Sequence, residues 1–501
     1  MDKKKSILNV SISITFKLIT MVMAIVMKRI LIHCCGNEVN GLNALYLSII
    51  GFLAVAELGV GSAITFSMYR PIVAGENEKV SALYHLFRRW YWIIGGVILA
   101  AGLALTPFIH HFARDYSQLD VDLYSTFALM LVSVVLTYLF GAKTALINAY
   151  KNNYITTAIT SGGLLLQYGL QIAVLFMTGD FKAYLICRSV AVLVQWGITE
   201  LVTRKNYSVI LHTRARIDRK TKLEVTRNIK AMFMHKIGAL LVNTVDSVVI
   251  SIFIGVATLG KYSNYTTIQL SMDGIIKLIF SSMVSVVGHM YAQKSKNVAQ
   301  AYCEVFHMLN FMVGAVFYTG YYAVIDPVVA ILFAENLIVE RSISLVITLN
   351  GFVQFMRSGV LTFRDATGAF YNDRWKPLAE GLANLMLSVL LVKQIGVVGV
   401  IVATIITNLL ICHIVEPYVL YKNAFQVSPK QYYLRNYGMI LLFGVGLIVY
   451  NGFARTQGGY WQLLLINGTI SVGISAMICL ISVMANYKIC RNIVMFLRRE
   501  K

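Results

Sequence analysis

Charge is scarce in this chain. Only 13% of its 501 residues are Asp, Glu, Lys or Arg, against about 25% in a soluble globular protein. That deficit excludes an ordinary soluble enzyme, and 57% hydrophobic residues with 12% aromatics exclude disorder. Proline is nearly as rare, six in all, which fits long helices and disfavours a large loop-built domain. The seven cysteines form no framework: Cys34 and Cys35 are neighbours, the rest fall in or beside apolar runs, and no CxxC pair or zinc-ligand spacing occurs. They read as small apolar fillers. No GxxxxGK[ST], HExxH or GxSxG motif is present, so nothing points to nucleotide hydrolysis, a cofactor or a metal.

What remains is apolar length. Mean hydropathy is +0.68, and at about 20 residues per bilayer crossing the chain accommodates fourteen spans: near 7–31, 42–67, 90–109, 122–148, 155–177, 182–202, 233–256, 264–290, 302–324, 342–363, 375–394, 397–419, 436–454 and 462–485. Asp326-Pro327 is expected to begin a short apolar piece too brief to cross, and the tight pair at 375–419 is expected to divide near Gln394-Ile395-Gly396. The start, Lys3-Lys4-Lys5 before an apolar run, reads as an uncleaved first helix. With both termini inside, the inner segments collect most of the 44 Lys and Arg residues, as the positive-inside rule requires. The formal charge of +21 is thereby explained by membrane topology and anionic lipid rather than by nucleic acid.

The chain also repeats. Gly36 and Gly41 after span one match Gly255 and Gly260 after span seven; Pro107 matches Pro327; Ala145, Tyr150 and Asn152 match Ala366, Tyr371 and Asp373. A six-span unit has an even number of crossings, so the two copies run in parallel, as in transporters that rock two halves about a central site. The expected organisation is an N-terminal six-helix lobe (1–202), a basic cytoplasmic linker (203–232), a C-terminal six-helix lobe (233–422), and two extra helices with a basic tail (423–501).

Ionisable residues inside spans carry functional information, since each costs about 2.5–3.5 kcal/mol at mid-membrane unless it meets water or a partner. Lys17 lies near the middle of span one and shares a face with Lys28, eleven residues on; Arg29 follows. They read either as a hydrated cavity for an anion or as snorkelling cations, the latter hardest for Lys17. Asp273 and Lys277 in span eight form an i,i+4 pair, either a structural ion pair or one that opens to a phosphate. Asp246 in span seven either binds a cation or pairs with Lys17 or Arg357 across the lumen, and Glu57 in span two either couples to a cation or braces Arg70 or a neighbouring helix; Asp273 is a further candidate for coupling to H⁺ or Na⁺. Arg357, well inside span ten, is the best guanidinium for gripping phosphate with two hydrogen bonds, and Arg188 is a weaker candidate.

Several stretches resemble one family. GNEVNGLNALYLSIIGFLAVAELGVGSAITFSMYRPIVAGENEKVSAL, followed by Tyr91 and Ile93-Ile94-Gly95, is similar to the first-hairpin pattern of bacterial polysaccharide-repeat (Wzx-type) flippases of the multidrug/oligosaccharidyl-lipid/polysaccharide exporter superfamily. The likeness resumes at His235-Lys236-Ile237-Gly238, Asp246, Tyr262-Ser263-Asn264-Tyr265, FRDATGAFYNDRWKP at 363–377, Glu416-Pro417-Tyr418 and Tyr421-Lys422. It implies an all-α integral membrane protein of about fourteen helices, with two MATE-like lobes around a cavity. It also implies a non-enzymatic flippase, in the bacterial plasma membrane, for undecaprenyl-diphosphate-linked oligosaccharide used in capsule-like surface polysaccharide. Partners would be that lipid, membrane lipids, and polysaccharide synthesis and polymerisation proteins. Lys17, Lys28 and Lys277 fall where related lipid II flippases carry cavity cations, but span two offers Glu57 and no cation. A multidrug exporter and a membrane polysaccharide polymerase or ligase are the competing readings.

Overall fold

A computed structural model describes residues 3–54, 60–116, 119–213, 244–293, 295–367, 375–487 and 489. Among them every regular element is helical, and ten continuous helical stretches are long and apolar enough to cross a membrane. The chain divides into two compact units, 1–260 and 261–501.

In the first unit α1 spans Lys3–Cys35 and α2 spans Asn37–Leu53. α3 (Val60–Val73) completes the second span, and α4 (Asn77–Leu105) runs on into a 3-10 turn at Thr106–His111 that Pro107 opens. α5 (Leu123–Val135) starts at Asp122, whose carboxylate accepts from the Tyr124 backbone N–H, and α6 (Gly141–Ala149) finishes the fourth span. α7 (Asn153–Thr178) and α8 (Phe181–His212) are joined by Gly179 in the left-handed region and by Asp180, which caps α8 through the N–H groups of Lys182 and Ala183. α9 (Thr244–Phe253) follows, then α10 (Val256–Gln293), inside which the unit boundary falls.

The repeat is visible in the backbone. α11 (Lys296–Leu332) begins 219 residues after α4, the offset that separates Gly36 from Gly255. Those two glycines join helices at φ 89° and 134°, a region that side chains with a Cβ rarely adopt. A residue later in each case a helix begins, and the two starts meet. A Cβ on Gly41 would fall 1.9 Å from the Val256 carbonyl oxygen, and one on Gly260 would fall 2.3 Å from that of Asn37. Asn37 and Asn40 donate from Nδ2 to the carbonyls of Ala257 (2.8 Å) and Gly260 (3.2 Å) in the first turns of α10, which ties the two helix starts together.

In the second unit α11 corrects the expectation for Asp326-Pro327: the helix continues through Pro327 to Leu332. Proline lacks only its own N–H, which a neighbouring helix can compensate. Here Asp326 is held by Arg341 (2.7 Å) and by the Tyr265 hydroxyl (2.8 Å). α12 (Arg341–Met356) and α13 (Ser358–Thr367) form the next span. α14 (Lys376–Thr407) is broken at Ile395 and Gly396, the latter at φ 60°, ψ −139°, which divides spans eleven and twelve where expected. A π turn at Asn408–Cys412, then α15 (His413–Leu420) and a second π turn at Tyr421–Phe425 complete the twelfth span. α16 (Lys430–Phe453) and α17 (Tyr460–Ala485) follow. The core of this unit stacks Phe352 on Phe443 (3.7 Å between centroids), with Phe311, Tyr322 and Tyr450 around them.

Candidate functional site

The densest polar chemistry lies inside the second unit. Arg357 sits at the junction of α12 and α13. Asn408, Cys412 and Glu416, four residues apart, share one side of the helical stretch formed by the π turn and α15. The Arg357 guanidinium donates to both oxygens of Glu416 (Nη2–Oε1 2.6 Å, Nε–Oε2 3.1 Å), to Asn408 Oδ1 (2.6 Å) and to Glu380 Oε1 (3.5 Å). Lys376 Nζ bonds Glu416 Oε1 (2.6 Å) and Glu380 Oε2 (3.2 Å). Two cations thus face two carboxylates, with side-chain exposures of 16% and 5% against 1% and 4%. Such a quartet is charge-balanced, and opening any part strands a charge away from water. His413 braces it: its Nδ1 accepts from Asn436 Nδ2 (2.9 Å), leaving Nε2 to donate to the Val353 carbonyl (3.0 Å).

The first unit carries a simpler counterpart. Lys143 on α6 pairs with Glu200 on α8, and Arg204 Nε reaches the same carboxylate at 2.6 Å. In both units a cation on the fourth span meets a carboxylate on the sixth.

The candidates read from the sequence are distributed as follows. Lys17 is exposed on α1, beside Thr20, which donates to its carbonyl oxygen at 3.1 Å. Lys28, half-buried, and Arg29, exposed, lie on the same helix, with Lys28 about 16 Å from Lys17 along the axis at 1.5 Å per residue. Asp246 is buried on α9. Glu57 and His235, and the linker residues from 214 onward, lie outside the described residues. On α10, Asp273 accepts a 2.5 Å hydrogen bond from the Tyr318 hydroxyl. A cavity of about 10 Å³ adjoins it, lined in part by Gln269 and Tyr321, enough for about one water. Lys277 lies on the same helix, its side chain outside the described set. Arg357 is at the centre of the quartet, so its donors are already engaged. Sequence reading singled out neither Lys376 and Glu380 nor the ion-pairing of Glu416, although an i,i+4 Lys-Glu pair at a helix start and a Glu-Pro inside an apolar run were the available signals.

No protein-family profile and no curated protein matches the sequence. Solved structures do match. The lipid II flippase MurJ in an inward closed conformation superposes with a TM-score of 0.65 at 14% identity, covering 96% of this chain and 99% of that one. An inward-facing multidrug resistance MATE family transporter of the MOP superfamily gives 0.61 at 12% identity, covering 81% and 96%. A mutant form of the Vibrio cholerae MATE transporter VcmN gives 0.54 at 13% identity, covering 86% and 99%. The chain shares the fold of these solved structures. At these identities the likeness concerns the fold, and the substrate has to be argued from the chain's own residues.

Proposed function

We propose that this protein is a flippase that carries undecaprenyl-diphosphate-linked oligosaccharide repeat units from the inner to the outer leaflet of a bacterial plasma membrane. The observation that supports it most is the exposed Lys17 on α1, near the start of the stretch Thr15–Cys35 that is long and apolar enough to cross a membrane, in a fold shared end to end with a lipid II flippase. Organic-cation export would favour an apolar or acidic path, and the cations Lys17, Lys28 and Arg29 on the first span oppose it. In this reading the termini are cytoplasmic, 1–202 and 233–422 are the two six-helix lobes, 203–232 is a basic linker at the inner membrane surface, and 423–501 adds two helices and a tail.

The mechanism is alternating access with a cationic cavity. The diphosphate binds lysine and arginine side chains, for which Lys17, Lys28, Arg29, Lys277 and Arg357 are the candidates. The prenyl tail stays in lipid and the sugar rides in water. Arg357 contributes only after exchanging Glu416 or Glu380 for the phosphate, so its role couples substrate binding to opening of the quartet. A negative-inside potential favours outward movement of negative charge by about 2.3 kcal/mol per charge per 100 mV. Asp246, Asp273 and Glu57 are the groups through which H⁺ or Na⁺ would couple to the cycle. The protein makes and breaks no covalent bond in this scheme.

The reading is tested by deleting the gene and following lipid-linked oligosaccharide. Repeat units accumulate on the inner leaflet, and wild type but not Lys17→Ala clears them. Multidrug export, supported by the MATE fold, becomes the better account when polysaccharide export is untouched and drug sensitivity rises instead.

A further inference from the structure

A cavity of about 520 Å³ opens in the first unit where α3 ends and α6 passes to α7; Tyr69, Asn148, Tyr150, Lys151 and Asn153 bring its aromatic and polar groups. Its volume is within the range of about 300–1,000 Å³ typical of small-molecule sites. Two tyrosines border it. Tyr69 is 44% exposed, and Tyr150 is fixed by packing its ring on Tyr207 at 5.0 Å. Between them sit hydrogen-bonding groups with capacity to spare. Asn148 Oδ1 accepts from Thr156 (2.6 Å), which leaves its Nδ2 available. The Lys151 ammonium has no carboxylate and the Asn153 amide no side-chain partner among the described residues.

The backbone at Lys151 is unusual. α6 closes with the N–H of Lys151 on the Asn148 carbonyl (2.9 Å) and that of Asn152 on Ile147 (3.3 Å). This end places Lys151 at φ 60°, a position that normally goes to glycine. A lysine held there accepts backbone strain, and its exposed ammonium is available to the cavity.

Aromatic faces beside amides and an uncompensated cation suit a sugar ring that bears a negative substituent: the ring's C–H face packs on tyrosine, the amides bind hydroxyls, and the cation meets the anion. We propose that this cavity is a subsite for an acidic sugar, a uronic acid, of the transported glycan. The proposal rests on the flippase reading and places the glycan, not the diphosphate, at the inner end of the first unit.

The test is saturation-transfer NMR on the full-length protein in nanodiscs, with D-glucuronate, D-glucose and inorganic phosphate as separate probes. Glucuronate is expected to bind at least tenfold more tightly than glucose, and Tyr69→Ala and Lys151→Gly each to weaken it by about tenfold. Lys151→Gly is the informative variant, because glycine relieves the strain: its thermal midpoint should hold or rise while binding is lost. Equal binding of glucose and glucuronate, or no effect of Lys151→Gly, overturns the proposal. Phosphate competing as well as glucuronate also overturns it, leaving an anion site without sugar recognition. Export in a deletion strain separates the two levels. A wild type that restores polysaccharide, alongside fully active Tyr69→Ala and Lys151→Gly, removes the subsite and leaves the flippase. A wild type that restores nothing removes the flippase reading whatever the binding data say.

Discussion

The two units solve one problem with different amounts of charge. In the first, Lys143 and Glu200 tie the fourth span to the sixth, with Arg204 added from the surface at 70% exposure. In the second, Arg357 and Glu416 make the corresponding tie, but Lys376 and Glu380 join from the eleventh span and everything except the guanidinium is almost wholly buried. The difference teaches where rigidity and change belong. Arg204, exposed at the surface, can exchange partners with solvent, while Lys143 and Glu200 stay largely covered. A buried quartet holds three spans in one arrangement, because opening it strands a charge away from water.

The comparison can be broken at its strongest point first. Glu416→Ala leaves Arg357 and Lys376 sharing Glu380 alone. It should cost about 3–5 kcal/mol, visible as a collapse in the yield of folded protein and in its thermal midpoint in detergent. The same reasoning makes Arg357→Ala an ambiguous probe of phosphate binding, because loss of the fold and loss of the grip coincide. Glu200→Gln is the matched change in the first unit. With Lys143 and Glu200 exposed by 12% and 19%, water screens part of the loss, and a cost of about 1–2 kcal/mol is expected from the same measurement.

Charge reversal sharpens the contrast. Lys143→Glu combined with Glu200→Lys, made with Arg204→Ala so that the new lysine meets no like charge, should recover most of the stability that either single change loses, since one pair can be turned round. Arg357→Glu with Glu416→Arg should not recover, because Asn408, Lys376 and Glu380 are placed for the original polarity. Equal recovery in both units, read by thermal unfolding, would contradict the distinction. The smallest effect belongs to Arg204→Ala, a surface partner expected to contribute no more than about 0.5 kcal/mol.

Much of this architecture was legible in the sequence, and the legible parts share a physical cause. Apolar length fixed the spans, and Gly36, Gly255 and Gly396 marked breaks because positive φ leaves few alternatives to glycine. Pro327 misled: proline signals a helix end in water, yet inside a packed membrane protein the helix ran past it, with Asp326 anchored by Arg341 and Tyr265. Arg357 stood out from the sequence as a cation in an apolar run, but its partners did not. Glu380, Asn408 and Glu416 are 23, 51 and 59 residues away, on later helices. Periodicity along one helix does not report contacts between helices so far apart in the chain, so a residue that reads as a free grip proves to be an engaged one.

The most direct test of the account compares the leaflet distribution of lipid-linked oligosaccharide in a strain lacking the gene, complemented by wild type or by Lys17→Ala. Lys17 is exposed and outside the quartet, so its loss should leave folding and membrane insertion intact. The account predicts repeat units trapped on the inner leaflet in both the deletion strain and the Lys17→Ala strain, and cleared by wild type. Full-length polysaccharide at the surface of the deletion strain, with no other exporter present, would contradict it.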